Sequence, residues 1–358
     1  MEIGCFTFAD VPAGDLAAPV RRIPELIEEI ALADEVGLDV FGLGEHHHPG
    51  FAAPAPAVVL AAAAARTKRI RLTSAVTVLG ADDPVRVFEQ FTALDLISGG
   101  RAEIMAGRGA LGDAHRLFAL EMEDYDSAFE EKLRLLLALR AGSPVTWTGR
   151  FRAPVRAEVV LPRPMQDLLP VWLGVGGTPA SVVRAAELGL PLTLGSVGGT
   201  AAQFRPLVQL YAEAKAYFGQ PDLPVAMTMH GFVADTSQRA GDIYFPADAV
   251  LFNTAGASRG VSGVTAADIA AKNGPGSMYA VGSPQQVIDK LLHQHEVLGH
   301  RRLMLQMGVG PIAHADIMRA IELLGTEVAP VVRAEVARRT VTNRPVPNPA
   351  VSNMPAAS

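Results

Sequence analysis

The chain has 358 residues, of which 49% are hydrophobic and 19% charged, with one cysteine and a formal net charge of −6. This length can bury a large core, while the acidic charge balance without a basic stripe argues against nucleic acid as a partner, and no apolar run is long enough to span a membrane. The single cysteine, Cys5, excludes an intrachain disulfide, and the first ten residues do not resemble a signal peptide, so we expect a cytoplasmic protein.

Eight short apolar runs alternate with stretches of helical character and predict eight β-strands. The runs cover residues 2–8, 39–44, 70–79, 101–106, 170–175, 191–195, 224–233 and 301–308. Between the first two, Ile23, Leu26, Ile27 and Ile30 recur at helical spacing, which predicts an amphipathic helix. A strand and a helix repeated eight times favour an α/β fold, a closed (β/α)8 TIM barrel, over an open doubly wound sheet.

Two long stretches interrupt this repeat, and we predict them to be insertions after barrel strands within a single domain of residues 1–335. The first covers about residues 142–166 and is rich in Arg and Pro; the second covers about residues 241–278 and contains several glycines. Long loops in compact domains usually serve as lids or binding loops, so we expect the second insertion to be a mobile lid. Residues 340–358, with four prolines, are expected to form a disordered tail.

One acid and three imidazoles follow the second predicted strand: Glu45, His46, His47 and His48. In parallel α/β folds, chemistry takes place at the carboxyl ends of the strands, and histidine titrates close to neutral pH. This cluster therefore predicts a reaction site, with an ordinary polar loop as the alternative. Adjacent side chains diverge and no metal-ligand spacing is present, so we predict no metal site.

Two glycine-rich segments follow the fourth and fifth predicted strands. In the first, Arg108 lies between two glycines, and its guanidinium could bind phosphate or carboxylate through paired donors; the alternative is a surface arginine in a loop. In the second, Gly176 and Gly177 precede Thr178 and Pro179, which predict a helix start whose free amides attract anions; the alternative is an ordinary capped helix. Because successive strands are neighbours in a barrel, the two segments together predict a phosphate site.

Several segments, in this order and spacing, resemble the bacterial luciferase-like flavin monooxygenase family. They are Glu45-His46-His47, RIRLTSAV at 69–76, DPVR at 83–86, LDLISGGR at 94–101 and Gly107-Arg108-Gly109. The resemblance extends from residue 1 to about residue 333. It implies a (β/α)8 barrel that uses reduced FMN and O2 to oxygenate a small organic substrate. It also implies a homodimer built from helices early in the chain and admits a separate flavin reductase as a partner.

Matched by position, the resemblance assigns roles to residues of this chain. Glu45 would lie beside the flavin ring, His46 would be the catalytic acid or base, and the peptide after Ala75 would match an unusual cis peptide next to the ring. Together with the glycine-rich segment, the predicted cofactor contacts are Ala75, Val76, Arg108, Gly176, Gly177, Thr178 and Ser181. One departure concerns the phosphate: luciferase has a second binding arginine where this chain aligns Asp126, with Arg116 and Lys132 as candidate substitutes.

Two other functions stay open at this point. The same barrel can use the deazaflavin F420 for hydride transfer without oxygen, and a family member can bind flavin without turnover. The presence of both Glu45 and His46 argues against the non-catalytic alternative. We expect the two insertions to determine the organic substrate.

Overall fold

The computed structural model describes residues 1–109, 112–257, 260 and 262–342. The expected disorder of the C-terminal tail concerns residues that lie almost entirely outside this range. Among the described residues, no helix has both the length and the apolar character needed to cross a bilayer.

Eight parallel strands close into a barrel, which confirms the predicted fold. The strands in chain order are β1 (Glu2–Thr7), β2 (Val40–Leu43), β3 (Arg71–Ser74), β4 (Thr77–Val78), β5 (Ala102–Gly107), β6 (Val145–Trp147), β7 (Val155–Glu158), β8 (Val171–Val175), β9 (Leu192–Ser196), β10 (Val225–Val233), β11 (Ala280–Gly282) and β12 (Arg302–Gly308). Around the ring the order is β1, β2, β3, β5, β8, β9, β10 and β12, and β12 pairs with β1 to complete it.

Helices follow the barrel strands and cover the outside of the ring. They are α1 (Ala18–Glu35), α2 (Pro56–Ala64), α3 (Pro84–Ser98), α4 (Asp113–Leu117), α5 (Tyr125–Arg140), α6 (Pro179–Glu187), α7 (Ala201–Tyr217), α8 (Ser237–Gly256), α9 (Ala266–Lys272), α10 (Pro284–Leu298), α11 (His314–Leu323) and α12 (Ala329–Thr342). Helix α3 shows how the sequence sets these bounds. The Asp83 side chain accepts a hydrogen bond of 2.8 Å from the Val85 amide at its start, and Gly99 ends it with a φ of 69°.

The interior of the barrel is filled by side chains in layers. At the N-terminal end of the strands, Arg302 pairs with Glu103, and its guanidinium lies 4.3 Å from the ring centroid of Trp172. Above this charged layer lies an apolar cluster of Phe6, Val40, Ala75, Met105, Trp172, Ala226 and Met304. The barrel is thus a packed core, and any ligand site must lie at its C-terminal mouth.

The first insertion, residues 142–166, joins α5 to β8, so it follows β5 only after an intervening helix. Strands β6 and β7 form an antiparallel hairpin within it. The Phe151 amide donates to Glu131 of α5 at 3.1 Å, and the Gln166 side chain donates to the Ala102 carbonyl, at the start of β5, at 2.8 Å. The insertion packs on the outside of the barrel, contacts the mouth side through Arg152, which donates to Asp83 at 3.0 Å, and finishes at the N-terminal end of the barrel.

The second insertion, residues 241–278, contains most of α8 and all of α9. Helix α8 is a packed element, because Tyr244 and Asp248 are fully buried. Two glycines at the barrel mouth lie close to this helix and show where it runs. A Cβ on Gly310, just after β12, would lie 2.4 Å from a backbone oxygen of α8, and a Cβ on Gly50, after β2, would lie 3.2 Å from the Thr254 methyl group. Helix α8 therefore extends across one side of the mouth.

Candidate active site

Glu45 lies directly after β2 and has a partner at each carboxylate oxygen. Its Oε1 lies 2.9 Å from His47 Nε2, and its Oε2 accepts a hydrogen bond of 2.9 Å from the Val78 amide. The Glu45 amide in turn donates to the Val76 carbonyl at 3.3 Å. The buried carboxylate therefore ties the end of β2 to β4 and orients the His47 ring.

His46, the predicted acid or base, is half-buried between aromatic side chains at the same strand end. Its ring stacks on Phe51 with 4.5 Å between centroids and meets the edge of Phe8, also at 4.5 Å. These rings surround the imidazole with apolar surface. A site of this kind limits the access of water to a proton-transfer group.

The two histidines that follow are held by local contacts. His47 meets the edge of the Phe118 ring at 5.0 Å, in addition to its contact with the preceding carboxylate. His48 Nδ1 accepts a hydrogen bond of 3.1 Å from the Gly50 amide. Both rings therefore help to shape the loop after β2.

The Ala75–Val76 peptide lies at the bend between β3 and β4, and its bond is cis, as the resemblance implies. Val76 occupies the space in front of two strand glycines. A Cβ on Gly107 would lie 2.5 Å from the Val76 side chain, and one on Gly174 would lie 2.8 Å from it. These glycines are therefore needed for the packing of Val76. Val76, just before β4, thus packs against the ends of β5 and β8. It therefore lies beside the segment that begins with Arg108.

Arg108 follows β5, and its guanidinium is already paired. Its Nη1 donates to Asp126 Oδ1, and the guanidinium lies 5.2 Å from the centroid of the Tyr125 ring. The Tyr125 hydroxyl donates to the Gly109 carbonyl at 2.5 Å. Asp126 thus places a negative charge on the group predicted to bind phosphate, at the position where the resemblance implies a second arginine. With 67% of its side chain exposed, Asp126 is well placed to be displaced by a stronger anion.

The segment before α6 leaves its backbone open. A Cβ on Gly176 would meet no atom within 4 Å, and Gly177 has a φ of 111°, a conformation that favours glycine. Thr178 is the N-cap of α6 but makes no side-chain hydrogen bond to the helix amides, while Ser181 is buried and its amide donates to the Thr178 carbonyl at 3.0 Å. An open backbone at a helix N-terminus suits an anion.

The register of the sheet places this segment beside Arg108. Ala106 of β5 pairs with Leu173 of β8, so the residues that follow them emerge from neighbouring strands about 5 Å apart. Lys132 does not join them: it is buried, its ammonium donates to the Gly80 carbonyl at 2.7 Å, and burial lowers its pKa. Lys132 is therefore wrong as a substitute for the second arginine. The other candidate, Arg116, is exposed on α4.

A second polar cluster at the mouth was not predicted from the sequence. His230 of β10 lies in register with Gln306 of β12, and its Nδ1 is 3.0 Å from Asp248 Oδ1 and 3.4 Å from the Tyr244 hydroxyl. Asp248 Oδ2 accepts a hydrogen bond of 2.9 Å from the Tyr279 hydroxyl. One signal was available, because the histidine stands near the carboxyl end of the seventh predicted strand. The helix that supplies its partners, α8, was read as part of an irregular insertion.

A cleft of about 210 Å³ lies next to this cluster, between the start of α1 and the loop after β12. Its charged groups largely satisfy one another: Arg22 donates to both oxygens of Glu29 at 2.8 and 2.9 Å, and His314 Nδ1 lies 3.1 Å from the same carboxylate. Burial raises the pKa of Asp10, which also lines the cleft, to about 7. The pairing of its charges indicates that this cleft has a structural role.

Comparison with known protein families gives a match over most of the chain. The family described as luciferase-like monooxygenase matches residues 1–301. Uncharacterized protein y4wF of Sinorhizobium fredii is 27% identical over 190 residues, 53% of this chain and 54% of that protein, so the chain spans about half the length of this relative. The 4-hydroxyprotoasukamycin monooxygenase of Streptomyces nodosus subsp. asukaensis is 29% identical over 253 residues, 68% of this chain and 67% of that protein.

Solved structures share the architecture over nearly the whole chain. Monooxygenase RslO1 from Streptomyces bottropensis has a TM-score of 0.82 and 26% identity, covering 92% of this chain and 99% of that one. The oxygenating constituent of 3,6-diketocamphane monooxygenase from Pseudomonas putida, in complex with FMN, has a TM-score of 0.76, 20% identity, and coverage of 92% and 98%. The F420-dependent tetrahydromethanopterin reductase from Methanopyrus kandleri has a TM-score of 0.71, 19% identity, and coverage of 92% and 99%. The last two similarities concern the fold alone.

Proposed function

The chain belongs to the luciferase-like monooxygenase family, and we propose that it uses reduced FMN and O2 to oxygenate a small organic substrate. The observation that carries this proposal is the grouping of Glu45, His46 and the Ala75–Val76 peptide at one mouth of the barrel, together with the open helix start after β8. Reduced flavin, when bound, supplies the chemistry that activates O2. The protein supplies orientation, apolar walls and a group for proton transfer.

The residues at the mouth fit a flavin in two respects. Gly176, Gly177 and Thr178 offer open backbone at a helix N-terminus to a terminal phosphate, and Ser181 can add its hydroxyl. Arg108 can add a guanidinium if the phosphate displaces its present acidic partner. The Ala75–Val76 bend offers a flat backbone edge to the ring system. The Arg108 guanidinium would then be paired with Asp126 in the free protein and with the phosphate in the complex.

Within this site we assign different tasks to the two residues after β2. His46 accepts or donates a proton at an imidazole nitrogen beside the reacting molecules, since its ring lies among apolar groups that exclude water. Glu45 positions the site, because its oxygens are used by His47 and by the Val78 amide. Helices α8 and α9 would act as the lid of the mouth.

The proposal includes two protein partners. A separate flavin reductase would supply the reduced cofactor, and a second copy of the chain would form a homodimer. Exposed apolar side chains on early helices support the dimer: Val58 lies on α2, and Leu96 and Ile97 lie on α3. Burial of such a surface against another copy would remove it from water. Sedimentation of the wild-type chain and of a Val58→Glu/Ile97→Glu variant would test this point.

The alternative function is hydride transfer with F420, which the reductase of the same fold uses. One observation supports this alternative. The Arg108 guanidinium is paired with Asp126, so it is not held free for the phosphate of FMN. In this case, the protein would bind F420, exchange hydride with an organic substrate and consume no O2.

Ligand binding and oxygen uptake distinguish the two functions. Purified protein would be titrated anaerobically with FMN, reduced FMN and F420, with flavin or deazaflavin fluorescence as the readout. Oxygen uptake would then be recorded after mixing with air-saturated buffer. We expect saturable binding of reduced FMN and oxygen uptake that depends on the protein. Tight binding of F420 with no effect on the oxidation of reduced FMN would overturn the monooxygenase proposal.

A further inference from the structure

The side chain of His230 faces the interior of the barrel mouth. Alternate residues of a strand share a face, and Ala226 of the same strand belongs to the apolar cluster inside the barrel. Thr228 and His230 therefore point inward as well. In the ring of eight strands, β10 lies four places from β3, so His230 stands on the wall opposite the Ala75–Val76 peptide.

Contacts on several sides fix the imidazole of His230. It stacks on the ring of Tyr279 with 5.0 Å between centroids, and on Phe252 with 5.7 Å. Its Nδ1 lies 3.0 Å from Asp248 Oδ1, although the pair lacks the linear geometry of a full hydrogen bond, and 3.4 Å from the Tyr244 hydroxyl. That hydroxyl donates to the Gln306 carbonyl at 2.8 Å, so its oxygen is free to accept. Both neighbours of Nδ1 are therefore acceptors, which places the proton of the neutral ring on Nδ1.

The other ring nitrogen, Nε2, is open to a ligand. Among the described residues it has no hydrogen-bond partner, and it is not one of the polar side-chain atoms that are enclosed without a partner. The nitrogen is therefore not fully enclosed, although the residue as a whole is buried. Gln306, its neighbour in register on β12, has an enclosed Nε2 with no hydrogen-bond partner in the described part of the chain. His230 Nε2 is an acceptor that matches the donor of a hydroxyl group.

Phenolic and acidic side chains surround the ring. Burial and the nearby Asp248 raise the pKa values of Tyr244 and Tyr279, so both tyrosines stay neutral hydrogen-bond donors. Asp10, beyond Asp248, adds a further acidic group. Lys272 of α9 is the cation on this side: its ammonium lies 3.7 Å from the Phe252 ring centroid and is attracted by Asp248.

We infer that His230 is a second acid–base residue of this site and that the substrate carries a hydroxyl group on an aromatic or enolic carbon. This inference rests on the proposed function. The substrate O–H bond breaks, its proton passes to Nε2, and the electron pair stays on the oxygen. The resulting imidazolium is stabilised by Asp248, and the adjacent carbon atoms become more electron-rich and so more readily oxygenated.

The proton affinities set the chemical class. A free imidazole titrates near pH 6.5 and a phenol near pH 10, values close enough for a proton to pass between the two groups during a reaction. An alkyl alcohol is far too weak an acid for this transfer. The apolar walls of the mouth, which include Phe8 and Phe51, suit the hydrophobic body of such a substrate.

The test uses 4-nitrophenol as the probe, because its ionised form absorbs visible light and reports proton transfer without turnover. In the flavin-free wild-type protein, we expect saturable binding and a larger ionised fraction than in buffer near neutral pH. His230→Gln should bind the probe about tenfold more weakly and lose the extra ionisation. Asp248→Asn, which changes a positioning residue, should shift the pH profile of ionisation toward that of the free probe. His293→Gln, on the exposed surface of α10, is the matched control and should behave as wild type.

A measurement on the wild-type protein guards against a variant that fails to fold. Mass spectrometry after treatment with diethyl pyrocarbonate should show that 4-nitrophenol protects His230 and that 4-nitroanisole, which lacks the hydroxyl, does not. Equal protection by both compounds, no binding of 4-nitrophenol, or unchanged ionisation in His230→Gln would each overturn the inference. FMN titration and oxygen uptake are recorded separately. Their failure in the wild-type protein would count against the proposed function, whereas the ionisation of the probe tests His230 alone.

Discussion

The two ends of the barrel differ in the hydrogen-bond partners of their buried polar groups. At the N-terminal end, Arg302 donates to Glu103 at 2.5 and 3.1 Å and to Glu2 at 2.6 Å, and Arg71 donates to the same Glu103 carboxylate. At the mouth, Gln306 Nε2 is enclosed and has no hydrogen-bond partner within the described part of the chain. A buried polar group without a partner destabilises the fold, so its presence at the mouth indicates a place for a ligand or water.

The pKa shifts of two buried acids show the same contrast. Burial raises the pKa of Glu103, but the attraction of Arg302 and Arg71 outweighs it, so that carboxyl titrates below its ordinary range. Asp10, after β1, accepts a hydrogen bond of 3.1 Å from the Gly310 amide, but burial outweighs it and raises its pKa to about 7. The cationic partners of Glu103 therefore lower its pKa at the closed end, whereas burial dominates at Asp10, which can exchange a proton near neutral pH.

If the mouth is the reactive end, substitution of His46 should cause the largest loss of activity. We expect His46→Ala to reduce oxygen uptake with reduced FMN by about 10²–10⁴-fold, the usual contribution of a general acid or base. Its urea unfolding midpoint should stay close to that of the wild type, because the half-buried ring is not part of the barrel core. His293→Ala serves as the control. Full activity in His46→Ala would remove its catalytic role and direct attention to His47.

A substitution at the closed end should instead reduce stability and leave the flavin site unchanged. Glu103→Gln leaves Arg302 buried without its main counter-charge, and we expect a loss of about 3–5 kcal/mol in the free energy of unfolding, with FMN affinity unchanged. Urea unfolding and flavin fluorescence measure the two quantities. In a Glu103→Leu/Arg302→Met variant the buried charge of Arg302 is also removed, and the charges that lose a partner, Arg71 and Glu2, are partly exposed, so the loss should be much smaller. A drop in FMN affinity with little change in stability would contradict the division between the two ends.

The barrel could be predicted from the sequence because its signals are local. Apolar runs bounded by glycine located the strands to within a few residues: the run at 101–106 became Ala102–Gly107. Helix α8 was missed because Pro246 lies inside it and Gly256 ends it, a composition typical of a loop. Its buried face, with Tyr244 and Asp248 four residues apart, was therefore not recognised as the partner of His230.

Pairings between distant residues could not be predicted in the same way. The sequence marked Arg108 as a phosphate ligand and Asp126 as a departure from the family pattern, yet nothing local indicates that the two side chains meet. The packing of Gly107 is a second example. In the sequence it is only a glycine beside Arg108, and the structure shows that it accommodates Val76. Such facts depend on how β4, β5 and α5 pack together.

At the mouth, substitutions of Arg108 and Asp126 should have effects of intermediate size, on the affinity for FMN. Arg108→Ala should weaken FMN by about 10–100-fold and riboflavin hardly at all, because only FMN carries the phosphate. Asp126→Asn should strengthen FMN binding, since it removes the competing anion and leaves Arg108 in place. Flavin fluorescence titrations of the wild type and both variants measure these affinities. Equal losses for FMN and riboflavin in Arg108→Ala would mean that the guanidinium supports the loop or the ring.

The smallest effect on stability should come from a buried histidine without hydrogen-bond partners at the closed end. His300, just before β12, is fully buried, and both of its ring nitrogens lack partners among the described residues. Burial, aided by the nearby His295, lowers its pKa to about 3. The unfolded chain binds this proton near pH 6.5 and the folded chain does not, so stability falls as the pH drops from about 6.5 toward about 3.

A His300→Leu variant removes this group while keeping the site apolar. Between pH 7 and pH 5.5 the wild type should lose about 1 kcal/mol more than the variant in the free energy of unfolding, because one proton is taken up on unfolding over that range. Other groups titrate in both proteins and cancel in the difference. Urea unfolding at the two pH values measures it. Parallel losses would mean that the His300 ring already has a bound partner, such as water, and that the closed end is paired at this position too.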